Sequence, residues 1–473
     1  MIGGLKRTSS RLAIAAAAGM FVGGAAMTPA QAADLGGDCC ADLEERVAEL
    51  EATTVRHARR QMRLVMSGQV NSALLFWDNG EESDIYVIDS DESSTRLNLR
   101  FTGTAVPGIT VGGQIEVDFE TAVGGQVAEN DLDDGTSSDL NVRRAEWFVS
   151  GDFGTATVGQ GSMAADGAFE VSFSGSALGS VGYGLATTNI GGFAIFNQRT
   201  GNYVGDTNRD GDCTDAAVAA GPGPDGIFGN ADDTAAIAAD ACTSTFGISS
   251  DFDQGRSNRV RYDTPALAGF VLSAAWGEDD EADVAVRYSN EFNGVRVAAA
   301  LAYVWEDDGG NGDRQYDEDY GGSIAIQHVP SGVHLQGGYA VRDRQNDDDP
   351  ASGVQPVKTS QKANNWWIAA GSSFRASSLG TSDITLQYIK TTGAGVYTGA
   401  DTISTAATAI GDDVEATVYG IGFSQNIDSL GGASIYLSYN HLEVEASNLN
   451  DATGNTDLDA EFDYVTAGMR VRF

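Results

Sequence analysis

The chain has 473 residues, with 67 Asp and Glu against 28 Lys and Arg, which gives a formal net charge of -39. A protein this acidic repels phosphates, so the composition argues against a nucleic-acid partner. Length alone would suggest two or three globular domains. However, Gly is abundant at 60 residues, Pro is scarce at 8, and no apolar run beyond the N-terminus is long enough for a transmembrane helix. This profile is typical of a membrane β-barrel, whose short strands have two different faces.

The N-terminus has the pattern of a secretory signal peptide over residues 1–32. Its positive region consists of Lys6, Arg7 and Arg11. A short apolar core covers 12–22, and Ala-Gln-Ala at 30–32 matches a cleavage site, so the mature chain is predicted to start at Ala33. The alternative is an uncleaved membrane anchor, but the apolar core is too short to span a bilayer well. The three basic residues leave with the signal, which takes the net charge from -39 to about -42.

Residues 33–61 predict a short periplasmic helical segment. Leu43, Val47 and Leu50 follow the 4–3 spacing of a coiled coil, with acidic residues beside this apolar seam. Two heptads are too short to be stable alone. The segment is therefore either a trimerisation stub or a single amphipathic helix that lies on the barrel or is left disordered.

Four cysteines follow the predicted cleavage site, and export would place them in an oxidising compartment. Cys213 and Cys242 lie in one long insertion, where a disulfide between them would staple the loop. The alternative is a pair of free thiols. Cys39 and Cys40 are adjacent, and intersubunit cross-linking is one reading of that pair.

From about Arg63 the sequence alternates with a period of two, which predicts β-strands over 62–473. Residues 110–120 are an example, because apolar Ile115 and Val117 alternate with acidic Glu116 and Asp118. A soluble two-sheet sandwich also alternates. A row of charges along a strand long enough to cross a bilayer is better explained by a closed barrel with lipid outside and water inside.

About sixteen strands of this kind are predicted. They start near residues 64, 95, 110, 141, 154, 257, 269, 282, 295, 320, 333, 364, 382, 414, 433 and 461. Connections at one end are short, as at 106–108 and 330–332, whereas those at the other end are long and acidic, as at 78–93, 306–319 and 445–459. This asymmetry is expected of outer-membrane barrels, and about sixteen strands leave an aqueous lumen.

Three segments carry a family likeness. The last strand alternates up to a terminal Phe473, as the strand that carries the assembly signal does in outer-membrane barrels. Residues 257–270 resemble the strand–turn–strand signature of general Gram-negative porins, and 152–161 resemble the strand before their pore-constricting third loop. The likeness covers nearly the whole mature chain and is closest to alphaproteobacterial-type porins. It implies a sixteen-stranded, trimeric passive diffusion pore in the outer membrane. The chain departs from the family in the insertion at about 161–255, which is longer than the family's folded-in constriction loop.

Charged residues predicted to face the lumen are candidates for setting the pore's selectivity. Strand parity places the following residues inside: Arg96, Arg100, Glu116, Asp118, Arg144, Arg259, Arg261 and Arg470. Asp166 and Glu170 are the nearest acids of the predicted constriction loop. Opposed basic and acidic groups would set a transverse field across the constriction. The alternative for each is a solvated lumen residue that has no role in selectivity.

One acidic stretch resembles the start of an EF-hand calcium loop. Its oxygen-bearing residues alternate and consist of Asp206, Asn208, Asp210 and Asp212. The bidentate Glu expected at the twelfth position is replaced by Ala217. The alternative is an acidic, turn-rich loop without metal. No other cofactor is expected.

These patterns predict a passive diffusion channel for small hydrophilic solutes and ions, with a mild preference for cations because of the acidic charge. A substrate-selective porin for a sugar or a cation, or a structural or adhesive barrel, remains an alternative. An enzyme is not expected, since the one local His–Ser pair, His441 and Ser438, would lie on opposite faces of a strand.

Overall fold

The structure is a computed structural model that describes residues 56–57, 60–120, 139–174, 190, 193, 195–199, 201–203, 255–278, 281–307, 314–347, 360–393, 415–451 and 454–473. The predicted signal peptide, the four cysteines and the predicted calcium loop lie outside these residues. So does most of the predicted 33–61 helix. Among the described residues, no helix is both long and apolar enough to cross a membrane.

Four two-residue strands form two separate pairs, and the other seventeen described strands form one closed antiparallel barrel. They are β1 Arg63–Asp78, β2 Ser83–Asp89, β3 Arg96–Val106, β4 Ile109–Glu120, β5 Asp139–Gly151, β6 Gly154–Ser162, β7 Arg256–Asp263, β8 Phe270–Gly277, β9 Ala282–Phe292, β10 Val295–Asp307, β11 Arg314–His328, β12 Val333–Asp347, β13 Ser360–Ser377, β14 Gly380–Thr392, β15 Glu415–Ile427, β16 Ala433–Asp451 and β17 Gly454–Arg472. Sequential strands pair, except that β1 takes both β2 and β3, and β17 closes the barrel on β1.

Two of these strands lie end to end along β1, so that the wall is sixteen strands around. β2 pairs with the second half of β1 and β3 with the first half. The sequence predicted an acidic loop over 78–93, and for Ser83–Asp89 this was wrong. Ile85 and Val87 are exposed apolar residues that alternate along β2, but the acids around them hid this short signal.

The end of the barrel with the long connections is called the outer end. Several strands extend further there than predicted: β16 reaches Asp451 and β17 begins at Gly454, although a loop was predicted over 445–459. Likewise, β10 and β11 reach Asp307 and Arg314 inside the predicted 306–319 loop. Beyond the hydrocarbon, water touches both faces of a hairpin. The hydrogen-bonded ladder therefore continues while the apolar alternation is lost.

The wall has an apolar outer face and a mostly polar inner face. Leu301 on β10 is 65% exposed, whereas its neighbours Ala300 and Ala302 are buried. The same alternation leaves large apolar side chains exposed on strand after strand, including Leu272, Val284, Ile324, Leu335, Ile368, Leu386 and Ile421. Such a continuous apolar surface is stable against hydrocarbon, and a closed ladder satisfies the backbone there without water.

Aromatic residues ring the outward face toward its outer end. Trp366, Tyr388 and Tyr419 lie side by side on β13 to β15, with ring centroids 4.9 and 5.2 Å apart. The neighbouring outward-facing residues on β16 and β17 are polar and include the pair His441–Asp463, whose Nδ1 and Oδ1 atoms are 2.8 Å apart. Aromatic side chains with polar tips favour the boundary between hydrocarbon and headgroups. These aromatic residues therefore mark the boundary between membrane and water at the outer end of the barrel.

The chain terminus and the tight turns complete the closure. Phe473 and Gly68 exchange two backbone hydrogen bonds of 3.0 Å, which seals β17 against β1 down to the last residue. The predicted short turns are confirmed at both places, with Gly108 at φ 83° and Gly332 at φ 73°. Glycine adopts these left-handed conformations without steric cost.

The described end of the predicted 33–61 helix is extended instead. Arg56–His57 pairs with Arg60–Gln61 as a two-residue antiparallel ladder. Arg56, Arg59, Arg60 and Arg63 would repel one another at helical spacings of three and four residues, which disfavours a helix at this point.

The two faces of the wall predict effects of very different size for one substitution at adjacent sites. Ile115 on β4 points outward and is 44% exposed, whereas Gln114 points inward. We expect Ile115→Arg to lower the free energy of unfolding by about 2–4 kcal/mol, because it puts a charge into hydrocarbon. Gln114→Arg should change it little. Urea titration of protein folded into phospholipid vesicles measures both values, and equal losses at the two positions would contradict the assigned faces.

Candidate functional site

Residues 163–174, which follow β6, run inside the barrel and are held by inward-facing side chains. Arg261 on β7 donates to the Met163 carbonyl at 2.7 Å. Arg287 on β9 donates to the carbonyls of Ala164 and Asp166, both at 2.7 Å. The segment therefore starts flat against the inner wall; it is called the belt below.

The belt continues across the next strands in the same manner. Ser323 on β11 donates to the Ala168 carbonyl at 2.8 Å and accepts from the Val171 N–H at 2.9 Å. Trp367 on β13 donates its indole N–H to the Phe169 carbonyl at 2.9 Å. The wall side chains satisfy the belt's backbone groups, so it needs no secondary structure of its own.

The belt ends at β14, where the Ser174 hydroxyl lies 3.1 Å from Asp383 Oδ1 and 2.7 Å from Thr385 Oγ1. One glycine of the wall makes room for this path. A Cβ on Gly338 would lie 2.5 Å from the Trp367 indole nitrogen and 3.0 Å from the Phe169 carbonyl oxygen. From β7 to β14 the belt thus adds a second layer to the inner wall.

A second inner segment, described at residues 190, 193, 195–199 and 201–203, lies on another part of the wall. Phe193 packs against Trp77 of β1 and Phe462 of β17, with ring centroids 4.7 and 5.1 Å away. The segment is called the return limb. The inner face of β3 to β6 lies between the belt and the return limb.

That inner face carries an ion-pair network built on a β-bulge. Glu116 on β4 is in register with Arg144 on β5, but Val117 is in register with Val142, so Arg143 is the extra residue. Its guanidinium bonds to Glu116 at 2.9 Å and to Asp118 at 2.8 Å. Asp118 is buried, and an unpaired carboxylate there would be costly.

The network extends across β5 to β7 through Glu146. This carboxylate accepts from Arg259 at 2.7 Å and lies 3.4 Å from Arg144. Arg259 also donates to the carbonyls of Ser162 and Gly159, both at 2.8 Å. The basic and acidic groups of this wall therefore sit beside one another, fixed by several hydrogen bonds each.

The structure places all eight predicted lumen residues on the inner face. Arg96, Glu116, Asp118, Arg144, Arg259 and Arg261 lie together along β3 to β7. Arg100 stands apart, with its guanidinium 5.3 Å from the centre of the Phe148 ring, and Arg470 donates to Ser93 at 3.4 Å. Asp166 and Glu170 lie on the belt, as expected of loop residues. Their roles in selectivity stay predictions.

Sequence reasoning missed several residues that build the site. Arg143 was overlooked because parity assigned only its neighbour Arg144 to the lumen; two adjacent arginines in an alternating strand were the available signal of a bulge. Asp283 and Arg287 could have been found, since both have the inward parity of a correctly predicted strand. The contacts of Ser323 and Trp367 with the belt have no local sequence signal.

The described residues contain no cluster of three or more His, Cys, Asp or Glu side chains arranged to hold a metal ion. The calcium ligands predicted at 206–212 lie outside the described residues, as do Cys213 and Cys242. Calcium binding and the disulfide therefore both stay predictions.

Comparisons with known proteins agree with this geometry. A sequence model described as Gram-negative porin matches residues 15–447. An anion-selective porin from Comamonas acidovorans has a similar fold, with a TM-score of 0.52, 16% identity and coverage of 87% of this chain and 100% of that one. A loop-deletion mutant of OmpT, an outer membrane protein of Vibrio cholerae, gives a TM-score of 0.49 at 11% identity, with coverages of 87% and 99%. No curated protein sequence matches.

Family membership indicates a channel rather than an enzyme. A channel is also indicated by the closed sixteen-strand wall, its lipid-facing outer surface and the belt inside it. The chain belongs to the Gram-negative porin family and is a diffusion channel of the outer membrane.

Proposed function

We propose that this porin is a general pore, which passes small hydrophilic solutes and ions according to size and charge and binds none of them tightly. We further propose a mild preference for cations and assembly as a homotrimer. The observation that carries the proposal is the ion-pair network on β3 to β7. The belt and the return limb cover other parts of the inner wall, so the open passage runs beside this network.

Paired charges favour a weak filter over a strong binding site. Each carboxylate of the network already has a guanidinium partner: Glu116 and Asp118 bond to Arg143, and Glu146 bonds to Arg259. A passing ion therefore meets alternating dipoles rather than a bare charge. Such a wall orients polar solutes and supports fast passage, because an ion that binds weakly leaves easily.

The cation preference is argued from where the acidic excess lies. The network has no acidic excess, since its arginines outnumber its carboxylates, whereas the chain as a whole has a net charge of -39. Segments between strands are strongly acidic; 121–138 has Glu129, Asp131, Asp133 and Asp134 and no Lys or Arg. Acidic entrances concentrate cations. The Comamonas porin is described as anion-selective, and we propose the opposite preference here from this chain's own charges.

The trimer is proposed from family membership, and the 33–61 segment is its candidate periplasmic stub. A heat-modifiable gel shift of the outer-membrane fraction, combined with chemical cross-linking, tests it.

Liposome swelling tests the general pore. With purified protein in liposomes, we expect swelling rates to fall smoothly from a pentose to a hexose, a disaccharide and a trisaccharide, because the passage of uncharged sugars depends on size alone. One sugar far above the size trend would favour a substrate-selective channel. No swelling with folded protein would favour a structural or adhesive barrel.

Removal of the bulge arginine should strengthen the preference for cations. Arg143→Gln leaves Glu116 and Asp118 without their shared partner, so the wall becomes more negative. A unit charge about 4 Å away in water is worth ~1 kcal/mol, which limits the rise in the K⁺/Cl⁻ permeability ratio to roughly fivefold. The reversal potential of a planar bilayer in a KCl gradient measures this ratio.

A matched control keeps the charge change and moves it out of the network. Arg375 forms an exposed ion pair with Asp428 at the short-turn end, with Nη2 and Oδ2 2.6 Å apart. Arg375→Gln should leave the reversal potential at the wild-type value. A preference for anions in the wild type would overturn the cation proposal, and equal shifts in both variants would show that the network has no special influence.

A further inference from the structure

We propose that the return limb forms a second narrowing of this pore, near its outer end, and that Phe193 and Arg199 fix it to the wall and thereby help to set the size limit. The inference rests on the proposed size-limited diffusion, but it concerns a part of the chain that the belt and the ion-pair network do not include.

The first support is an apolar dock inside a water-filled barrel. Phe193 is fully buried among Trp77, Tyr86 and Phe462, with ring centroids 4.7, 6.2 and 5.1 Å from its own. Ile190 and Ile195 of the same limb are also fully buried. Aromatic rings at these distances pack favourably beyond the area they bury.

The facing wall is apolar where a water-filled pore needs polar groups. Trp77 of β1 and Tyr86 of β2 have inward parity, as do Phe462 of β17 and Leu442 of β16. All but Tyr86 are buried to 2% exposure or less. Apolar side chains in contact with lumen water would be unfavourable. This part of the wall is therefore stable only when another segment covers it, and the return limb does so.

The second support is a polar clamp at the outer end of the same strands. Arg199 Nη1 lies 2.7 Å from Asp457 Oδ2, and the Gln198 N–H donates to the Asp459 carbonyl at 2.8 Å. On the other side, the Asn79 amide donates to the Tyr203 hydroxyl at 3.0 Å. At the outer end the limb is thus tied to both β17 and the β1–β2 turn.

The inner wall of the pore is therefore covered by two separate segments. The belt adds a layer from β7 to β14, and the return limb adds one on β17, β1 and β2. A chain packed face to face on a sheet lies up to about 10 Å from it. The limb therefore reduces the cross-sectional area of the lumen. A solute that enters from outside must pass this narrowing as well as the belt.

The test compares the size limits of two Phe→Ala variants with that of the wild type. Phe193→Ala removes the ring at the centre of the dock, while Phe423→Ala removes an outward-facing ring of β15. In liposome swelling we expect Phe193→Ala to admit di- and trisaccharides several-fold faster and pentose at an unchanged rate. Phe423→Ala should match the wild type at every size.

An exposed ion pair provides a second pair of variants should Phe193→Ala fail to fold. Arg199→Asp faces Asp457 and Asp459 with a like charge and should admit the larger sugars faster. The double change Arg199→Asp with Asp457→Arg restores an opposite-charge pair and should bring the wild-type size limit back.

The outcomes separate the two proposals. Folded wild-type protein without graded swelling would overturn the proposed general pore. Graded swelling in the wild type, with the same size limit in Phe193→Ala and Arg199→Asp, would leave the general pore standing and overturn the second narrowing. An equal increase in Phe423→Ala would also overturn it, because the effect would then follow from a loosened barrel.

Discussion

Hydrocarbon offers no hydrogen-bond partner, so every backbone N–H and C=O of a spanning segment must find one inside the protein. A sheet meets this demand only when it has no free edge. Here the last strand returns to the first, and the two hydrogen bonds between Phe473 and Gly68 continue the seam to the final residue. The rest of the architecture depends on this closure. It makes one face of each strand contact lipid and the other face the lumen, and it fixes the circumference within which the loops must fit.

The inner layer satisfies the same demand by different means. The belt has no ladder, yet its carbonyls and N–H groups bond to Arg261, Asp283, Arg287, Ser323 and Trp367 of the wall. The return limb adds apolar contacts around Phe193 to a few bonds at the outer end. Both devices require wall side chains placed for the purpose, which ties the sequence of the barrel to that of the insertion.

The difference between the barrel wall and the inner layer explains what the sequence could predict. All sixteen predicted strands exist, because a period of two is a local signal that lipid on one face makes strong. The signal fails where lipid is absent, as in the outer ends of β10, β11, β16 and β17, or where the strand is short and acidic, as in β2. The bulge at Arg143 displaced one assignment, since an extra residue shifts parity locally. The docking of the belt and of Phe193 joins residues about a hundred or more positions apart, and no periodicity encodes such contacts.

The charges show why net charge alone is a poor guide to the field inside such a pore. The chain is strongly acidic, yet the wall at β3 to β7 pairs its carboxylates with arginines at 2.7 to 2.9 Å. Opposite charges this close cancel within a few ångströms, and salt screens what remains over about 10 Å. We propose that the acidic excess acts mainly where a solute enters, whereas at the network the solute meets local dipoles. A porin can thus have acidic entrances and a lumen wall whose carboxylates are paired with arginines, so that the entrances concentrate ions and the narrow parts select by size.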